Sequence, residues 1–308
     1  MKCALCQNEE FETVSKVDAK SSDKLIASLC NKCGLIQQNP IPTADELKVY
    51  YSDKYRVGYK KSYTPKPKHV FRAAMTALQR IEFLRKSNIT KGSLLDVGAG
   101  GGEFTYLSGK IGFEVEGIEP NIGYSEYAKN EYGCNVVTGE IEDINGKYDV
   151  ITLFHVLEHL PSPVRAFEKL YNLLNSNGIL FVEVPWIETN NASPHNIYFK
   201  AHIFYFSVDT LISCASQYFD VVKVETTSNL RVLFIAKTIP AGLELPRSSS
   251  VEAIKERLKI KGWFEYLFIG KGILKPISKV VNVFKENRVT HLSGKKIIDN
   301  IVLKNWNC

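Results

Sequence analysis

Short apolar runs and helical periods alternate through most of the chain. Residues 93–97, Ser-Leu-Leu-Asp-Val, predict a buried strand. Glycines 98, 100, 101 and 102 interrupt it at once. Phe104, Leu107 and Ile111 then recur at helical spacing, and 114–118 reads as a second strand that closes on Glu119. The alternation continues downstream. Helical patterns are predicted over 120–132 and 164–174, with strands over 134–137, 148–154 and 179–184. Ser207 is placed to cap a helix running to 218. Two β-rich runs, 219–226 and 231–237, are joined so tightly that an antiparallel pair is expected. Upstream, residues 69–86 carry Phe71, Met75, Leu78, Ile81, Phe83 and Leu84 as an amphipathic helix.

Alternating strands and helices predict an α/β fold, here a Rossmann-like sheet of seven strands. The chain reads as four segments: a cysteine-bearing ribbon (1–42), a helical link (43–90), a nucleotide-binding core (91–238), and a linker with a basic appendage (239–308). Thr43 and Glu46 have capping-box spacing. Five tyrosines between 50 and 63 suit either a lid over a ligand or ordinary packing.

Charge changes the picture at one end only. The chain of 308 residues carries a net charge of +6. From Val251 onward, 12 Lys or Arg stand against 5 Asp or Glu, so the rest is near neutral. Basic and aromatic residues in this appendage suit helices packed on the core, contact with an anionic membrane surface, or an acidic partner. It holds no nucleic-acid-binding motif, so nucleic acid is not the expected partner. No apolar run approaches the ~20 residues that span a bilayer. Met1–Cys6 has no signal-peptide pattern, and a cytoplasmic location, with membrane association left open, is the expectation.

Cysteine adds a candidate metal centre. Four of the seven cysteines form two C-x-x-C pairs, Cys3/Cys6 and Cys30/Cys33. Each turn can present two sulfurs to one tetrahedral ion, and two turns close the site against water. A structural zinc ion held by Cys3, Cys6, Cys30 and Cys33 is expected, with a β-hairpin between the pairs.

Strand, glycine turn, helix, strand and acid make a nucleotide-binding βαβ unit. Glu103 stands where a dinucleotide fold carries its third glycine, which argues against a nicotinamide oxidoreductase. Asp-Val-Gly-Ala-Gly-Gly-Gly resembles motif I of class I S-adenosylmethionine (SAM)-dependent methyltransferases, with Gly98, Gly100 and Gly102 on its G-x-G-x-G and Glu119 on its ribose-binding acid. The resemblance covers residues 3–237. It implies cofactor contacts from Asp96, Gly98, Ala99, Gly100, Gly102, Phe104, Glu119, Pro120, Ile141, Glu142, Phe154 and His155.

The run His155-Val-Leu-Glu-His159-Leu resembles a segment of the branch holding ubiquinone-pathway O-methyltransferases and bacterial sugar methyltransferases. Residues 202–207 resemble a second segment of that branch. Both imply loops at the carboxyl ends of strands, where open α/β sheets bind ligands. His155, His195 and His202, with Tyr198, are the catalytic candidates, because methylating a hydroxyl usually requires a base. The resemblance implies methyl transfer to a small hydroxylated acceptor, with O-methylation of a sugar or glycolipid precursor favoured. N- or C-methylation of a nucleotide sugar, and a non-catalytic zinc-ribbon module on a methyltransferase-like scaffold, are the alternatives.

Overall fold

The computed structural model describes residues 2–43, 46 and 65–305. The tyrosine-rich stretch, read as either a lid or ordinary packing, lies outside the described residues. Thr43 and Glu46 do form the expected capping box: the Thr43 amide donates to Glu46 Oε2 at 2.8 Å, and the Glu46 amide donates to Thr43 Oγ1 at 3.2 Å.

The elements follow the predicted alternation. Strands β1 (Phe11–Val17), β2 (Lys24–Cys30) and β3 (Ile36–Gln38) precede helix α1 (Pro67–Arg85). Then come β4 (Gly92–Val97), α2 (Glu103–Lys110), β5 (Phe113–Glu119), α3 (Ile122–Tyr127), β6 (Val136–Thr138) and β7 (Tyr148–Phe154). The chain continues through α4 (Pro163–Leu173), β8 (Leu174–Pro185), β9 (Phe204–Tyr205), α5 (Val208–Ala215), β10 (Phe219–Thr226) and β11 (Asn229–Ala236). Helices α6 (Ser248–Lys259), α7 (Lys275–Asn287) and α8 (Gly294–Asn305) end it. The main sheet has seven strands in the order β10-β11-β8-β7-β4-β5-β6. β4–β5 and β5–β6 are parallel, while β11 is antiparallel to both β8 and β10.

Some boundaries move from their expected places. The helix expected over 120–132 keeps regular geometry only to Tyr127, then widens into a π-turn, Ala128–Tyr132. Ser207 caps α5 through a bond from the Thr210 amide, and the helix stops at Ala215. The linker expected over 239–250 already contains the first turn of α6.

The chain divides into two compact units. One comprises residues 52–152 and 276–308. Here α1 buries Val70, Ala74, Ala77, Leu78, Ile81, Phe83 and Leu84. Helix α8 buries Ile297, Ile298 and Ile301, and Asp299 accepts a bond from the Tyr106 hydroxyl at 2.8 Å. The last helix of the basic appendage is therefore ordinary core-packing structure. Helix α7 differs: Ile277, Val280, Val281 and Phe284 are all exposed.

The other unit comprises residues 1–51 and 153–275. The cysteine ribbon is built into it. β3 pairs with β9, making a four-stranded sheet β1-β2-β3-β9. Val251 and Ile254 of α6 pack against Ala27, Leu29, Ile36, Ile187 and Tyr205. β9 comes from the segment expected only to precede a helix. A two-residue strand has no periodicity of its own, and its partner lies far away in sequence.

Candidate active site

The turn after β4 is held from both sides. Gly98 and Ala99 donate their amides to the Ile118 carbonyl at 2.8 and 3.0 Å. The Gly100 amide donates to Glu119 Oε2 at 2.9 Å, and the Asn121 amide donates to Glu119 Oε1 at 2.9 Å. Gly100 lies at φ +55°, and a Cβ there would meet nothing within 4 Å among the described residues. Gly102 lies at φ +86° as the N-cap of α2, and a Cβ there would approach the Ala128 Cβ to 2.6 Å. This is a backbone cradle with a carboxylate at its rim and the start of a helix beneath it, suited to a ribose and its attached groups. Burial raises the Glu119 pKa, against the pull of the two amides. Ile141 is buried, Glu142 is exposed beside it, and Pro120 is exposed directly after Glu119.

Asp96 and Phe104 are placed differently from the cradle residues. Asp96 is buried, and its oxygens accept from Thr105 Oγ1 at 2.9 Å and Thr152 Oγ1 at 2.8 Å. Its carboxylate ties β4 to α2 and β7, which fixes where the turn starts. Phe104 is buried at the start of α2. Glu103 is desolvated, and its pKa rises to about 7.

In the other unit, β7 delivers His155 in the left-handed region at φ +56°, its amide donating to the Glu183 carbonyl at 2.8 Å. Such a backbone is uncommon for histidine and marks a position fixed by its surroundings. The ring lies between two buried carboxylates: Nδ1 is 3.3 Å from Glu158 Oε1, and Nε2 is 3.2 Å from Glu183 Oε1. Burial pulls the imidazole pKa down, but the two carboxylates outweigh it and raise it to about 9. His155 is therefore an imidazolium at neutral pH. His202 goes the other way. Burial, against the attraction of Glu158, takes its pKa down to about 3 and keeps it neutral.

His155 and His202 line one pocket of about 330 Å³, with Trp186, Phe199, Tyr205 and Lys261 among its walls. Burial lowers the Lys261 pKa to about 8, and its Nζ donates to the Thr189 carbonyl. His195 is exposed with its ring against Trp263, and it does not line this pocket. Tyr198 stacks edge-on with Tyr205 behind the wall. Phe154 packs edge-on against Phe181.

Sequence reasoning missed the residues that set the charge of this pocket. Glu183 is fully buried, accepting from Asn229 Nδ2 at 3.0 Å and Arg231 Nε at 2.7 Å. A lone acid inside Ile-Leu-Phe-Val-Glu-Val and a lone base inside Leu-Arg-Val-Leu-Phe were the only signals, and register pairs Glu183 with Arg231. Lys20 and Lys261 reach the pocket from the ribbon and the appendage, segments assigned to other roles from sequence.

The four ribbon cysteines converge. Their sulfurs lie within 4.8 Å of one another, with Cys3 to Cys33 and Cys6 to Cys30 both at 3.5 Å. Cys3, Cys30 and Cys33 are buried.

A seven-stranded sheet with an antiparallel end, a glycine cradle and a carboxylate closing the second strand define a class I methyltransferase fold. Residues 68–224 match the methyltransferase domain family, and the chain belongs to it. Among curated proteins it resembles the ubiquinone biosynthesis O-methyltransferase of Histophilus somni, 33% identical over 117 residues, which are 33% of this chain and 49% of that protein. The protein of the same name from Coxiella burnetii is 30% identical over 112 residues, 33% of this chain and 47% of the relative. The chain thus spans about half the length of the curated relatives it matches. Similar solved structures include a SAM-dependent methyltransferase of Thermotoga maritima described as a possible histamine N-methyltransferase, 19% identical with a TM-score of 0.44, covering 62% of this chain and 99% of that one. Another is the magnesium protoporphyrin IX methyltransferase of Synechocystis PCC 6803 with bound SAM, at 15%, 0.42, 63% and 99%.

Proposed function

We propose that this protein transfers a methyl group from SAM to a hydroxyl of a small acceptor. The cradle of Gly98, Gly100 and Gly102 with Glu119 at its rim carries the reading. SAM supplies, when bound, a methyl already activated on a sulfonium. In this reading Glu119 accepts the ribose hydroxyls and Ile141 packs against the adenine face, with Glu142 at its edge. The O-methyltransferase names of the curated relatives support a hydroxyl as acceptor.

The acceptor is assigned to the pocket bearing His155 and His202. Trp186, Phe199 and Tyr205 offer flat apolar contact, while Lys20, Lys261 and the His155 imidazolium offer positive charge and hydrogen-bond donors. These suit a hydroxylated ring or chain carrying an anionic or strongly polar group. Neutral His202 adds a polar group to the pocket wall. Most of the rate gain in such a reaction comes from alignment, which can supply up to roughly 7–11 kcal/mol. The four ribbon cysteines are proposed to hold a structural zinc ion. Their sulfurs lie within reach of one ion, from two C-x-x-C turns that each offer two thiolates.

The test is methyl transfer from radiolabelled SAM to a panel of phenols, quinols and hydroxylated sugars. Label should pass to at least one acceptor, and His202→Asn should lower its transfer at least tenfold. Label passing only to amines would overturn O-methylation.

A further inference from the structure

Beside the pocket, Glu158, His159 and His202 bring one ligand atom each close together. These atoms lie within 4.8 Å of one another, with His159 Nε2 and His202 Nε2 both 3.9 Å from Glu158 Oε1. Ligands about 2.1 Å from one ion stand roughly 3.0–3.4 Å apart, so the two histidines would close on Glu158 by about 0.5–0.9 Å to seat a cation.

Two independent observations point to a missing ligand. Glu158 is fully buried, yet neither carboxylate oxygen makes a hydrogen bond among the described residues. His155 answers its charge from 3.3 Å without bonding to it. A buried carboxylate with no hydrogen bond is expensive, and such groups normally pair fully or coordinate a metal. The second observation is the orientation of His159. Its Nδ1 lies 2.6 Å from the Ala201 carbonyl, an atom that can only accept, so Nδ1 carries the proton. That leaves Nε2 as the ring atom nearest Glu158 and available as a metal ligand. Metal-ligating histidines are held in this way by an outer carbonyl.

The scaffold is built for this placement. His159 follows β7 in the main sheet, whereas His202 sits just before β9, on the ribbon sheet. Gln38 Nε2 donates to the carbonyls of Lys200 and His202 at 2.9 and 2.8 Å, and the Ile203 amide donates to the Glu158 carbonyl at 2.8 Å. The ribbon thus fixes the segment carrying His202 against the segment carrying Glu158 and His159.

We infer that Glu158, His159 and His202 bind a first-row divalent cation such as Mn²⁺, Fe²⁺ or Zn²⁺. Two imidazoles and one carboxylate leave coordination positions open, and this donor set selects such ions over Ca²⁺ or Mg²⁺, which prefer all-oxygen surroundings. Because His202 lines the pocket, an open position can take the acceptor oxygen and lower the pKa of its hydroxyl. That role rests on the methyl-transfer reading; the binding of the ion does not.

Mn²⁺ tests the site, because it favours nitrogen and oxygen ligands over the ribbon thiolates. Full-length protein, dialysed against EDTA until it retains at most one zinc per chain, is titrated with Mn²⁺ and followed by electron paramagnetic resonance. One Mn²⁺ per chain should bind, with nitrogen couplings from two imidazoles in pulsed spectra. Glu158→Gln and His202→Asn should each weaken binding at least tenfold. The nitrogen couplings of unmutated protein decide the matter even if a variant does not fold. A spectrum of free aqueous Mn²⁺ at saturating protein, or bound Mn²⁺ without nitrogen coupling, overturns the inference. S-adenosylhomocysteine binding measured on the same sample reports on the methyl-transfer reading separately.

Discussion

Glu183 shows how a single buried charge organises its neighbourhood. Its carboxylate sits inside a strand, held by Arg231, Asn229 and His155. Removing one partner of a buried ion pair strands the other charge, which typically costs about 3–5 kcal/mol. Arg231→Met should therefore lower unfolding free energy in urea by about that amount, whereas the double change Arg231→Met, Glu183→Leu should recover most of it. At Glu103 the folded-state pKa is about 7, against an ordinary 4.5. The folded state holds this proton more tightly than the unfolded chain does. Its contribution to stability therefore declines as pH rises from about 4.5 to about 7, and the loss is complete above that. Glu103→Gln should flatten the decline, as read from melting curves across this range. The cradle glycines and Glu119 were legible in sequence because glycine density and an acid at a strand end are local signals. Glu183 and Arg231 were not assigned, because their meaning depends on the register of two strands nearly fifty residues apart.

Among the elements, helices and central strands followed hydrophobic period closely, since one face of each is buried. β9 escaped because it exists only through pairing with β3. Residues 1–42 were legible as a cysteine ribbon with a hairpin, yet their continuation into a sheet with residues 204–205 was not. This pairing makes the ribbon a support for the pocket, because Gln38 and Asp18 hold the segment that carries His202. Asp18 Oδ2 accepts from the Lys200 amide at 2.7 Å, and Oδ1 accepts from the Lys20 amide at 2.7 Å. Structural zinc sites contribute folding free energy directly. If the four cysteines hold the proposed zinc, a strong chelator should therefore lower the melting temperature by several degrees, and His202 should move with the ribbon. Histidine ring signals in NMR spectra, followed before and after zinc is restored, would show the His202 resonance shifting and then returning. The basic appendage proved heterogeneous at this scale. α6 and α8 bury apolar faces, while α7 exposes Ile277, Val280, Val281 and Phe284.

Over the whole molecule, sequence order and spatial grouping part company. The chain passes between its two units after residues 51, 152 and 275, so neither unit is a continuous segment. Fold class was legible because strand-helix alternation leaves few topologies, and an antiparallel ending narrows them further. The contents of the pocket were only half legible. His155 and His202 stood out as loop histidines after strands, but Lys20 and Lys261 enter from segments with other apparent roles. No helix among the described residues is long and apolar enough to cross a membrane.

The cradle of residues 98–102 with Glu119 is proposed to bind SAM. Calorimetric titration of the purified protein with S-adenosylhomocysteine tests it most directly. One molecule should bind per chain, and Gly100→Val, folded as judged by circular dichroism, should lose that binding. Absence of binding to the folded wild-type protein, or undiminished affinity in the folded variant, would contradict it.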